Sequence, residues 1–164
     1  MDDNLALLAA TPKALAHLVA EASEERLDTA IDGGWSARTV LAHLRDDEYL
    51  CMRVALERML AEDGPLLTFV DGAAWEPGRN RGRDGKAQLL ADFALQRQAT
   101  LNILQGLRPA DWQRSGQNET WGTFDVTQLL AAWVRHDAEH VAQLETALGE
   151  TLADVRARRA RMAE

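Results

Sequence analysis

The sequence predicts an all-α fold, a four-helix bundle with a short extra C-terminal helix. Three observations carry that expectation. Four long segments repeat apolar residues at helical spacing, strand-like alternation is nearly absent, and the breaks fall at glycines and prolines. A bundle of four such segments buries their apolar faces against one another. The 164 residues suffice for a real core, so residues 1–164 are expected to form one domain.

Helix one is expected over about residues 3–25, with Leu5, Leu8, Leu15, Leu18 and Val19 as its stripe. Pro12 falls inside this span. It either kinks the helix or marks its true start, with Thr11 as N-cap. Gly33-Gly34 breaks the chain, and Ser36 is the expected N-cap of helix two, which runs to about Ala61 and stops at Asp63-Gly64-Pro65. Residues 64–85 form the longest irregular segment, which includes Trp75. Gly82, Gly85 and Lys86 resemble a phosphate loop only loosely, because Asn80 and Ala87 stand where a Walker motif needs glycine and Ser or Thr. Helix three is expected over about residues 86–106, closed by Gly106, with a short helical turn at Pro109–Trp112. Residues 114–124 read as a second loop. Asp125 then caps helix four, with Gln128 as its capping-box partner, and the helix runs to about Leu148. Residues 150–163 supply the short extra helix.

Composition narrows the function. A net charge of −8 argues against general nucleic-acid binding. The one basic run, Arg156, Arg158, Arg159 and Arg161, suits the negative end of the last helix. A single cysteine, Cys51, excludes an intramolecular disulfide and fits a reducing compartment. No signal peptide or membrane-length apolar run is visible, so a cytoplasmic protein without membrane contact is expected.

The histidines carry the chemistry. His136 and His140 are four apart in helix four, which puts both on one face with Leu129, Leu130, Trp133 and Leu144. Both imidazoles are therefore expected to point into the core. Neutral imidazole is a good ligand for divalent zinc, nickel, copper and iron. The alternative is a pair of hydrogen-bonded core histidines. His43 shares a mostly apolar face of helix two with Val40, Asp47, Leu50, Cys51 and Val54. Three inward histidines with an open position match the usual catalytic zinc-type site, and this favours a shared metal over an isolated polar residue at position 43. His17 lies on a solvated face with Lys13, Glu21 and Glu24 and is expected at the surface. Cys51 is about two turns beyond His43 and is expected to pack in the core.

Trp35-Ser-Ala-Arg-Thr-Val-Leu-Ala-His43-Leu, with Glu48 five after the histidine, resembles the helix-two motif of the DinB/YfiT-like superfamily. His136-Asp137-Ala-Glu-His140-Val-Ala-Gln143-Leu144 resembles its last bundle helix, where H-D-x-x-H-x-x-Q-L is typical. Leu107-Arg-Pro-Ala-Asp-Trp112 resembles the connection after its third helix, and the likeness spans about residues 5–148. The resemblance implies a four-helix bundle, often a homodimer, with one divalent metal, zinc or nickel, on His43, His136 and His140. A small-molecule substrate is expected from the open positions of such a site beside the two long loops, 64–85 and 114–124. The superfamily holds transferases that use a low-molecular-weight thiol, bacillithiol or mycothiol, and many members called metal-dependent hydrolases. The fold therefore leaves the reaction open.

Three neutral ligands leave a metal its full charge. It can acidify a bound water or hold a thiol as thiolate, so hydrolysis and thiol transfer need the same site. Asp137, the more inward of the acids flanking the histidines, and Asp47, one turn beyond His43, are weak candidates for orienting an imidazole or moving a proton. Each is equally well read as a charged residue at a solvated edge. Glu48 lies off the His43 face by spacing and is given no catalytic role. Glu139 is third after His136, which disfavours a conventional H-E-x-x-H zinc peptidase. Trp75 and Trp121, on the two long loops, are candidates for covering an apolar substrate. A non-enzymatic metal-binding stress or structural protein is the alternative to a metal-dependent transferase or hydrolase.

Overall fold

The computed structural model describes residues 2–30, 33–69 and 84–162. Trp75 lies outside them. In chain order the elements are α1 (Asp2–Leu18), α2 (Glu24–Asp28), α3 (Ala37–Asp47), a π-helical turn (Glu48–Arg53) and α4 (Val54–Ala61), followed by α5 (Lys86–Gln105) and a 3₁₀ turn (Asp111–Gln113). Strands β1 (Ser115–Asn118) and β2 (Gly122–Asp125) come next, then α6 (Val126–Leu148) and α7 (Leu152–Met162).

The expected caps form. Ser36 Oγ accepts from the Thr39 amide, and Asp125 and Gln128 close a reciprocal capping box at the start of α6. Gly149 ends α6 at φ 64°, a left-handed position that suits a residue without Cβ. Helix one differs from expectation. It starts at Asp2, close to the expected residue 3, but stops at Leu18 rather than near 25, and a separate short helix, capped by Ser23, follows. It runs through Pro12. The missing Pro12 amide would have bonded the Leu8 carbonyl, and that carbonyl instead accepts from Arg97 Nη1 at 2.9 Å. Lys86, far from cradling phosphate, donates to the Val19, Ala20 and Ala22 carbonyls just after α1.

α1 packs on α5 and α6, and so does α3. α1 and α3 therefore face each other across the bundle, as do α5 and α6. α1 and α3 are not neighbours, and α2 lies on the connection between them. The α5-to-α6 crossing contains a hairpin that the sequence did not predict. β1 and β2 pair antiparallel, with Gly116 opposite Phe124. Only Gly116 and Phe124 of the eight strand residues are buried, so no clear alternation marked them. Asn118 Oδ1 accepts from the Thr120 and Trp121 amides and shapes the turn.

The core has two apolar halves. One contains Leu8, Met52, Leu101 and Trp133, and the other Leu15, Leu44, Phe93 and Leu144. On every main helix a buried polar residue falls between these members: Thr11, Glu48, Arg97 and Asp137. Arg97 is 1% exposed. It bonds Glu48 Oε2 at 2.8 and 3.0 Å, and Asp137 at 2.6 and 3.0 Å. Thr100 and the Trp133 indole N–H also donate to Glu48, and Thr11 donates to Asp137. Glu48 begins the π turn, where the added residue per turn shifts the register. Leu50, expected on the His43 face, is consequently exposed, while Glu48 lies off that face, as expected, and is buried against Arg97.

Candidate metal centre

α3 and α6 lie side by side, and this contact brings His43 against the His136/His140 pair. Nε2 of His43 and Nε2 of His136 are 3.3 Å apart. One nitrogen from each of the three rings lies within 4.8 Å of the others. Among the described residues this is the one cluster of His, Cys, Asp or Glu side chains with metal-binding spacing. Cys51 is buried in the core and is not part of it.

The rings are held from behind. His140 Nδ1 lies 2.8 Å from Gln143 Oε1, an acceptor, so Nδ1 carries the proton and Nε2 keeps its lone pair. The Trp35 indole lies parallel to His140 at 5.9 Å and edge-on to His43 at 5.0 Å. Burial, and then the neighbouring His136, hold the His140 pKa below the ordinary imidazole value. Its neutral, ligand-competent form is thereby favoured.

His136 and His140 do not point into the bundle centre as expected. The Arg97 layer occupies that space, and the two rings are half-buried on the wall of a cavity of about 410 Å³. Asp47, Met52, Phe69, Trp121 and Ala132 also line it. Arg135 and Glu139, both exposed, stand at its lip.

The two candidate acids separate. Asp47 faces the cavity, with Oδ2 3.3 Å from His136 Nε2. Asp137 is buried at 3% exposure, not at a solvated edge, and its carboxylate is taken up by Arg97 and Thr11. Burial would raise its pKa, but the neighbouring His136 ring and the Arg97 guanidinium outweigh that and hold it below the usual aspartate value. Its Oδ1 is 4.0 Å from His136 Nδ1, close enough to bias the ring electrostatically but too far for a hydrogen bond. His17 is half-exposed near the end of α1, beside Lys13, Arg156 and Arg159, and takes no part in the cluster. Sequence reasoning quoted Trp35 and Gln143 in motifs but gave them no task. The spacing of three between His140 and Gln143, on one helical face, was the available signal.

A helical bundle with three histidines gathered from two packed helices at a cavity wall defines a class of candidate metalloprotein. Residues 7–144 match the family model for the DinB superfamily, and the chain belongs to that superfamily. A relative from Oceanobacillus iheyensis, named "putative metal-dependent hydrolase", is 24% identical over 134 residues, 81% of this chain and 77% of its own length. A relative of the same description from Bacillus licheniformis is 29% identical over 147 residues, covering 82% and 77%. The fold is similar to the solved structure of YfiT from Bacillus subtilis, described as "a probable metal-dependent hydrolase with an unusual four-helix bundle topology". The TM-score is 0.79 at 22% identity, over 92% of this chain and 88% of that one.

Proposed function

We propose that His43, His136 and His140 hold one divalent metal ion, zinc or nickel, and that the protein is a metal-dependent enzyme acting on a small molecule. The observation that carries this reading is the convergence of three imidazoles, one already fixed in its tautomer by Gln143, on the wall of an open cavity. The donor set fits such an ion, because three neutral nitrogens suit zinc and nickel and leave positions for a ligand. Bound there, the ion would supply Lewis-acid activation of a carbonyl, a water or a thiol. The chain supplies the rest. Gln143 and Trp35 keep the rings in place, and Asp47 stands beside His136, where it can hold a proton released in the cavity.

Hydrolysis and transfer to a low-molecular-weight thiol both fit this arrangement. The names of the relatives support hydrolysis. A purely structural metal would sit in a closed shell of ligands, whereas these histidines adjoin a 410 Å³ cavity, which supports catalysis over storage or scaffolding.

The test begins with chelation, reloading with zinc or nickel, and elemental analysis, which should give about one ion per chain by the one-site argument. His136→Ala and His140→Ala should each lose that ion. Activity is then sought on small activated esters and amides, and on electrophiles offered with bacillithiol or mycothiol. His43→Ala should abolish what is found and His17→Ala should retain it. Undiminished metal affinity in both His136→Ala and His140→Ala would refute the site, and activity that survives chelation would refute the mechanism.

A further inference from the structure

The cavity wall is of two kinds. His43, His136 and His140 supply ring nitrogens to it, and Phe69, Trp121 and Met52 supply apolar surface. The aromatic pair is a built feature. Trp121 stacks on Phe69 at 4.7 Å and 29°, and meets buried Phe124 edge-on at 5.7 Å. The segment that delivers Phe69 is bound to the hairpin: Leu67 N–H donates to the Gln117 carbonyl at 2.7 Å, and Gln117 N–H to the Pro65 carbonyl at 2.8 Å. Asn118 adds a bond from Nδ2 to the Leu67 carbonyl at 2.9 Å, while its Oδ1 holds the turn that carries Trp121.

Packing of the bundle end does not account for Trp121. Phe124 is 6% exposed and meets that need, whereas Trp121 is 48% exposed and lines the cavity. A half-exposed indole fixed by stacking and a shaped turn is a preformed apolar surface, the kind of wall that small-molecule pockets use.

We propose that Phe69 and Trp121, with Met52, form a subsite for the apolar aryl or alkyl body of a small molecule whose lone-pair head group is taken at the histidines. The substrate class is thus amphipathic, with one donor head and one apolar body. Arg135 and Glu139 at the lip carry opposite charges and set no single sign for the ligand. This inference rests on the metal reading above.

The probes are hydroxamic acids, whose head group binds zinc and whose tail can be varied. Zinc stoichiometry is measured first, and acetohydroxamate, hexanohydroxamate and benzohydroxamate are then titrated calorimetrically into the zinc-loaded protein. Affinity should rise about four-fold per buried methylene and rise again for the aryl tail. In Trp121→Ala and in Phe69→Ala that rise should flatten, with acetohydroxamate affinity and zinc stoichiometry unchanged. Two variants on separate segments guard against one that fails to fold. A protein that takes up no zinc refutes the metal reading and this subsite with it. Full zinc with no tail dependence in the parent, or a tail dependence that survives both substitutions, overturns the subsite alone. Loss of acetohydroxamate and tail affinity in equal proportion would make the aromatics scaffolding and would also overturn it.

Discussion

Replacing Arg97 by Met keeps most of the side-chain volume and removes its charge and its donors. The structure sets the magnitude. Glu48 and Asp137 are 1% and 3% exposed, and both pair with this guanidinium. Removing one partner of a buried ion pair costs about 3–5 kcal/mol, because it strands the other charge. The Leu8 carbonyl loses the donor that replaces the Pro12 amide, which adds about 1 kcal/mol or more. The remaining bonds from Thr11, Thr100 and Trp133 soften the loss. A net loss of about 4 kcal/mol at neutral pH follows from these terms. The pH dependence identifies the cause. In the parent, Asp137 is held below its unfolded value, so its contribution is present above that value and is lost as pH falls through the folded one. Without Arg97, burial dominates and the carboxyl is pushed up instead, so the folded variant takes up protons first and gains stability on acidification. Urea unfolding at pH 7 and pH 5 should show the gap between parent and variant narrowing. Adding Glu48→Gln and Asp137→Asn should recover much of the loss at pH 7. A loss below about 1 kcal/mol, or a gap that does not change with pH, would refute the view that stranded carboxylates carry the cost.

Gln143→Leu should weaken zinc binding about 10- to 100-fold, the usual effect of removing a group that orients a ligating histidine, while Gln143→Glu retains an acceptor and most of the affinity; competition with a chromophoric chelator reads the change. The metal-free protein should lose stability as pH falls below the imidazole range, because His140 is held below its unfolded value and the unfolded chain protonates first. Chemical denaturation at pH 7.5 and pH 5.5 should show this slope reduced in His140→Gln, and an unchanged slope would assign the effect elsewhere.

The parts of the fold legible in the sequence were the local ones. Ser36, Gly106 and the Asp125/Gln128 pair announce helix ends because capping involves residues only a few positions apart. The three histidines were legible for the same reason, since each shows its face through neighbours three and four away. What failed was nonlocal or broke the assumed period. Pro12 offered two local readings, and the one that leaves it inside the helix holds, with a substitute donor to the Leu8 carbonyl that comes from Arg97, 89 positions from Leu8. The π turn broke the 3.6-residue count in mid-helix, which put Leu50 on the wrong face, and the burial of Glu48 depends on Arg97, 49 positions away. The expectation that His136 and His140 face the bundle centre failed because it took no account of Arg97, whose long side chain fills that centre with charge.

The buried layer and the histidine cluster meet on adjacent residues of the same helices. Asp47 and Glu48 are consecutive, yet one lines the cavity beside His136 and the other enters the core to meet Arg97. His136 and Asp137 repeat the arrangement on α6. Apolar contacts alone specify axial register weakly, because one leucine can replace another after a slide of one turn, about 5.4 Å. Glu48, Arg97 and Asp137 have no such substitutes. A slide would move a carboxylate away from the guanidinium and into the leucines above or below, at a cost of several kcal/mol. The layer thus penalises slippage of α3 against α6 most heavily at the level of the three imidazoles, whose separation of 4.8 Å or less depends on that register.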